Sequence, residues 1–410
     1  MEISITEVFL SLLLILVTGR FFAEAIFKFG IPPVVGEVVA GIIIGPSLFG
    51  LVNDNEVIKI FAEIGIILLL FEVGFESDIK KLKSEGINAF IVAFFGAFFP
   101  FLLGTLVSYY LFNINLLTSL FIGGTLTATS IGISLRVLKD LNLHLTKMAS
   151  IVIGAAVLDD ILGVIVLASL VQIVEIGELE IFSLLKLMTL MSVFLLMSPF
   201  IASLIAKVLH LFEKKHVKIS GYIPIVVFSF ILFFSLIAHA VGLPPIIGAF
   251  VAGIALSKRF TLPKLKNSNL GKIEFTLKTK DEIHFIRKVE TQVSPIVSLF
   301  APIFFVSVGI SINLKEVNIN SLDLLVFGIV ILLVAVIGKI IGSFFVVKTY
   351  LKDKILIGIS MIPRGEVGLI FAEFGKSAKI FSQDIYSALV FVIIITTLIP
   401  PILLKYSVRR

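Results

Sequence analysis

Apolar runs long enough to cross a bilayer recur from one end of this chain to the other, and that recurrence limits the fold more than any motif does. Of the 410 residues 58% are hydrophobic and only 15% are charged, too few polar groups to cover a soluble protein of this length. The chain reads as an all-α polytopic membrane protein, because helices close their own backbone hydrogen bonds where lipid offers no partner. The first run, Val8 to Phe27, reads as a span and not a cleaved signal, since further runs follow it. With no cysteine, disulfides and thiolate metal sites are excluded.

About thirteen spans are predicted, near 6–28, 32–48, 56–74, 87–111, 115–136, 148–173, 182–206, 219–240, 243–257, 294–312, 321–347, 354–375 and 382–404. The odd number puts the termini on opposite sides. One set of loops carries Lys80, Lys81, Lys83, Arg136, Lys139, Lys147, Lys207, Lys214, Lys215, Lys218, Lys348, Lys352, Lys354, Arg409 and Arg410. The other set reads "NDNE" (53–56), "FNIN" (112–115) and "EIGELE" (175–180). The positive-inside rule therefore places the N-terminus outside and the C-terminus in the cytoplasm of a multi-pass protein of the cell membrane. The net charge of +6 sits in these loops, so the partner is the lipid surface and not nucleic acid. The loop at 258–293 is the one long connection; "KIEFTLKTKDEIHFI" within it alternates like a strand pair and reads as a solvated cytoplasmic hairpin.

A repeat runs through the chain. "GIPPVVGEVVAGI" (30–42) matches "GLPPIIGAFVAGI" (242–254), "FEVGFESDI" (71–79) faces "VSVGISINL" (306–314), and "TATSIGI" (127–133) aligns with "PRGEVGL" (363–369). Matching spans lie seven apart and so cross in opposite directions, which is an inverted-topology repeat of the kind transporters use. Such repeats put the site at mid-membrane, where helices are broken. Span 5 has "GGTLTATSIG" (123–132), whose Thr and Ser can replace helix hydrogen bonds. Span 12 has "MIPRGEVG" (361–368), with Pro363 and Gly365 as breakers beside Arg364 and Glu366, which serve the break structurally. Two such spans crossing would turn opposed half-helix ends toward one another.

"AAVLDDILG" (155–163) sets Asp159 and Asp160 in the middle of span 6, where each carboxylate costs roughly 2.5–3.5 kcal/mol. Lys339, in "AVIGKIIGS" near the middle of span 11, is too deep to snorkel and needs one of the two acids as partner. Glu37, Glu63, Glu72, Arg20 and Glu373 are weaker candidates, nearer span ends. Adjacent carboxylates with hydroxyls and carbonyls are hard oxygen donors suited to a small cation. A carboxylate that binds either a proton or a cation turns alternating access into exchange. With Asp159, Asp160 and Lys339 ionised the site is net −1, and a second protonation lets two protons return for one cation, which makes exchange electrogenic.

The Asp-Asp pair, the "TATS" segment, the span-11 lysine, the "PRGE" breaker and "LLLFEVGFESDIKKLK" (68–83) together resemble the NapA/NhaA-like sodium/proton antiporters of the second monovalent cation:proton antiporter family. The likeness covers nearly the whole chain apart from roughly 260–288. It implies the NhaA-like fold, with Asp160 as the ion- and proton-binding carboxylate and the metal (Na+) ligand. It implies Asp159 as the partner of Lys339, and Thr129 and Ser130 beside the ion. Thr127, Pro363, Arg364, Gly365 and Glu366 would form the broken-helix crossover. It further implies a secondary transporter and not an enzyme, a homodimer, and no cofactor beyond the transported Na+ (or Li+ or K+) and H+. The family plan divides the chain at 1–111 (dimer-domain helices 1–3 and core helix 4) and 112–173 (core helices 5–6). A linker helix follows at 174–218. The second-repeat dimer-domain helices lie at 219–320, and core helices 11–13 at 321–410. Kef-type potassium efflux systems share the fold but typically show Gln-Asp at the pair and a nucleotide-binding tail, neither of which this chain carries. A gated channel or sensor on the same scaffold would need a continuous polar path, where here only isolated charges stand.

Overall fold

The computed structural model describes residues 5–53, 55–77, 79–216, 221–257, 263–264, 274–275, 280–316 and 322–409. Sixteen α-helices account for nearly all of them. In chain order they are α1 (Ile5–Lys28), α2 (Pro33–Ile44), α3 (Glu56–Glu76), α4 (Ile79–Ser84), α5 (Gly86–Leu106), α6 (Leu116–Thr125), α7 (Ile131–Asp140) and α8 (Lys147–Glu175). They continue as α9 (Ile181–His216), α10 (Tyr222–Ala240), α11 (Pro245–Leu256), α12 (Lys280–Ser311), α13 (Leu322–Phe344), α14 (Leu351–Ser360), α15 (Glu366–Ser377) and α16 (Gln383–Arg409). Each segment predicted as a span is helical, and two of them, 115–136 and 354–375, are each split into two helices. Among the described residues, eight helices are long and apolar enough to cross a membrane by length and composition, and α2, α6 and α11 are shorter apolar helices.

One expectation is corrected. Among the described residues, the stretch "KIEFTLKTKDEIHFI" pairs at Glu274–Phe275, antiparallel to Pro263–Lys264, and from Lys280 on it is the start of α12 rather than strand. The alternation misled because "KDEIHFIRKVETQV" also carries an apolar residue every three to four positions, at Ile283, Ile286, Val289 and Val293, which suits a helix. The rest of 258–279, with Asp54, Lys218 and Arg410, lies outside the described residues, as do the side chains of Lys80, Lys214, Lys215, Glu366 and Arg409.

The chain divides into two compact units. The first comprises residues 1–63, 84–184 and 302–410; the second comprises 64–83 and 185–301. Each contains one copy of the same close-packed device. In the first unit, a Cβ placed on Gly36 would lie 2.4 Å from the Phe22 carbonyl oxygen, one on Gly41 2.0 Å from that of Val306, and one on Gly309 2.1 Å from that of Val38. In the second, the matching figures are 2.1 Å for Gly248 against Phe234, 2.1 Å for Gly253 against Phe71, and 2.2 Å for Gly74 against Phe250. The repeated glycines are there because backbones touch backbones at these points. Both copies start their twelve-residue helix the same way, with Pro32 and Pro244 at φ −55° and ψ 136° and a proline in the first turn, where its missing N–H is no loss.

The first unit holds the charged interior. There α5 packs tightly on α13: a Cβ on Gly338 would meet Pro100 at 2.8 Å and one on Gly342 would meet the Gly96 nitrogen at 2.6 Å. This approach fixes the face of α13 that carries Lys339. Helix α6 is started by Asn115, whose side chain accepts from Thr118 N at 2.9 Å, and α8 by Thr146, which accepts from Ala149 N at 3.2 Å.

Candidate functional site

The two breaks in the first unit arise from residues that compete for helix hydrogen bonds. At the end of α6 the Thr127 hydroxyl donates to the Gly124 carbonyl at 2.7 Å, and Ser130 is extended at φ −76° and ψ 101° before α7 starts. Between α14 and α15, Pro363 removes a donor and biases Ile362 away from helix, while Gly365 permits close approach: a Cβ there would lie 2.7 Å from the Ser130 hydroxyl.

The breaks satisfy one another. Ser130 N donates to the Pro363 carbonyl at 2.7 Å, the Thr129 hydroxyl to the Met361 carbonyl at 3.0 Å, and the Ser134 hydroxyl to the Ser360 carbonyl at 2.6 Å. Backbone groups orphaned by each interruption thus find partners across the crossing.

Asp159 and Asp160 stand on α8, both buried, at 1% and 2% exposure. One turn on, Gly163 faces Ala128 and Val367, so α8 runs beside both breaks. Lys339, at 1% exposure, resolves which acid it meets: its ammonium donates to Asp159 at 3.0 and 3.3 Å and to the Thr127 carbonyl at 2.5 Å. Asp160 lies buried in the same interior. Adjacent helix residues point about 100° apart, which is how two neighbours acquire different surroundings. Gly96 on α5 lies beside the lysine: a Cβ there would be in ordinary contact with it, 3.7 Å from Cδ and 4.0 Å from Nζ.

Arg364 is fully buried. It reaches away from its own break, donating to the Ala128 carbonyl of the other break at 2.8 Å and to the Ala335 carbonyl of α13 at 3.4 Å, while the Thr397 hydroxyl donates to its carbonyl. A charge count without it is incomplete. With Arg364 included, the four ionised side chains at 159, 160, 339 and 364 balance, where three alone leave net −1. Glu366 opens α15, and its side chain lies outside the described residues.

The sequence reading underweighted Glu37 and did not single out Asp140 or Thr397. Glu37, taken as a weak candidate nearer a span end, is only 3% exposed and faces Arg136 at 4.0 Å; Arg136 also pairs with Asp140 at 3.4 Å. The signal was present: Glu37 interrupts the repeat where the second copy has Ala249. Asp140, beyond the predicted end of span 5, has its carboxyl pushed above the usual range by burial, against the pull of Arg136 and Lys139. Thr397 carried no such mark, because a threonine in an apolar helix reads as packing.

Comparison with known proteins agrees with this architecture. The family described as "Sodium/hydrogen exchanger, transmembrane" matches residues 10–408. The high-affinity Na(+)/H(+) antiporter NhaS3 of Synechocystis is 32% identical, over 96% of this chain and 88% of its own length. The Na(+)/H(+) antiporter of Enterococcus hirae is 33% identical over 97% of both, and the Na(+)/H(+)-K(+) antiporter GerN of Bacillus cereus 31% identical over 98% of this chain and 96% of its own. Among solved structures, the sodium proton antiporter MjNhaP1 of Methanocaldococcus jannaschii aligns with a TM-score of 0.67 at 16% identity, over 98% of this chain and 97% of that one, a likeness of fold. The chain therefore belongs to the transmembrane sodium/hydrogen exchanger family.

Proposed function

We propose that the protein is a secondary antiporter exchanging Na+ for H+ across the membrane by alternating access. The observation that carries this reading is a buried carboxylate pair beside two touching helix breaks, with Asp159 hydrogen-bonded to Lys339 and Asp160 on the next position of the same helix. Asp160 is the shared site. A cation and a proton both neutralise its charge, so each excludes the other, and a carrier that exposes the site to either side in turn exchanges one for the other. The hydroxyls of Thr129 and Ser130 supply further hard oxygens beside it. Half-helix ends at the breaks add fixed dipoles.

Asp159 and Lys339 set the stoichiometry. Cation binding at Asp160 weakens the hold of the pair on its proton, so a second proton leaves with the first and two return for one cation. Arg364 adds the same charge to every state of the cycle, so it alters the energy of the site and not the net charge moved. Exchange is electrogenic.

The wider plan follows the resemblance: thirteen spans in an inverted-topology, NhaA-like arrangement, a homodimer, the N-terminus outside and the C-terminus cytoplasmic in the cell membrane, and no resident cofactor. Residues 1–111 and 219–320 supply the dimer half with core helix 4, residues 112–173 and 321–410 the remaining core, and 174–218 links them. The names of the Synechocystis and Enterococcus relatives favour Na+, and that of the Bacillus relative brings K+ into the same test. Purified protein in proteoliposomes with a pH-sensitive dye, challenged with Na+, Li+ and K+, tests the reading. Coupled proton flux with Na+ is expected; cation flux without proton flux would make it a channel.

A further inference from the structure

The break between α6 and α7 exposes two successive carbonyls, and each is held by a different cation. Lys339 takes Thr127 at 2.5 Å, and Arg364 takes Ala128 at 2.8 Å. The two cations differ in one respect. Lys339 shares its donors with Asp159 and can lose its proton, whereas a guanidinium stays charged at any working pH. When Lys339 changes partner during a cycle, the Thr127 carbonyl loses its donor. The neighbouring carbonyl is then what keeps the break in shape. Arg364 also reaches Ala335, one helical turn before Lys339, whose carbonyl is the α-helical acceptor for the Lys339 backbone N–H. The guanidinium therefore ties the turn that carries the lysine to the strip of backbone the lysine must find again, while the Thr397 hydroxyl of α16 donates to the backbone carbonyl of Arg364.

We infer that Arg364 is a positioning residue of the ion site: a fixed cation that holds the span-5 break and the Lys339 turn in register while the lysine releases and regains its partners. The inference rests on the antiport reading above. The charged groups acting on it among the described side chains include Asp159 on α8 and Lys339 on α13, and α16 contributes Thr397.

The test uses full-length protein in proteoliposomes, with apparent KM for Na+, kcat and the pH profile of exchange measured for wild type, Arg364→Gln and Arg364→Lys. Arg364→Gln is expected to raise apparent KM about tenfold or more, as befits loss of charge-assisted hydrogen bonds, with a smaller change in kcat, and to displace the pH profile. Arg364→Lys keeps the charge but not the two-pronged reach, so it recovers only part of both shifts. Should Arg364→Gln fail to fold, Arg364→Lys decides alone, and a displaced profile is still expected. Thr397→Val, which removes the hydroxyl shared by the Arg364 carbonyl and the Ile393 carbonyl of its own helix, moves both quantities in the same direction by less. Variants that melt earlier yet keep the wild-type KM and pH profile would overturn the inference and leave Arg364 as packing. A wild type without Na+-dependent proton flux would overturn the antiport reading itself, which the wild-type arm reports separately.

Discussion

Asp159 and Asp160 are chemically identical neighbours, and the proposed exchange depends on their being treated differently. If Asp160 is the shared site, Asp160→Asn removes both ligand charge and titration while preserving shape. The variant should insert and purify like wild type and show no cation-dependent proton flux; full exchange at saturating Na+ would end the assignment. Lys339→Gln is expected to lose much of the transient current that follows a Na+ jump on a sensor-supported membrane, even where some electroneutral exchange survives. An unchanged current would take the lysine out of the proton path. At this scale the sequence marked the charges, because a carboxylate or an ammonium in an apolar run is conspicuous. The charges by themselves do not mark which acid meets Lys339, since that depends on the rotation of α8, and the choice of Asp159 came from the family resemblance. Nor could it mark the partners of Arg364, because these are backbone carbonyls, which every residue has.

At the scale of elements, helices are set by close contacts and by charge at their ends. Gly41 sits in a helix interior, where alanine is ordinarily favoured by about 1 kcal/mol. Here a Cβ would lie 2.0 Å from the Val306 carbonyl oxygen, and overpacking of that kind costs about 1–3 kcal/mol. Gly41→Ala should therefore lower the thermal midpoint in detergent, whereas Gly86→Ala, with open space at its Cβ, should not. The Glu37–Arg136–Asp140 group links α2 to α7. Arg136→Gln leaves the buried Glu37 carboxylate without its cation and should cost about 1–3 kcal/mol, recovered largely by adding Glu37→Gln. Asp140 gives a pH test. Its carboxyl holds a proton more firmly folded than unfolded, so stability declines as pH rises through the window above the ordinary carboxylate value. Asp140→Asn should flatten that part of the midpoint-against-pH curve. Breaks and repeats were legible at this scale because Pro363, the Thr-rich run and paired glycines act locally. The helical start of α12 was not, because its charged first turns also fit alternation.

For the whole molecule, membrane character and helical class were readable from the recurrence of long apolar runs, since lipid leaves a polypeptide few other choices. The division into two units was not, because it depends on which helix backs which: each repeated helix packs on a segment from the other half of the chain, Gly41 against Val306 and Gly253 against Phe71. What unites residue, element and molecule is one claim: a cation and a proton compete for one buried carboxylate. The most direct test is the apparent KM for Na+ in wild-type proteoliposomes, measured across pH. Competition predicts that KM climbs as pH falls, about tenfold per unit on the acid side for the shared carboxylate and more steeply where the second proton leaves with the first. An apparent KM that stays constant across pH would contradict the shared site.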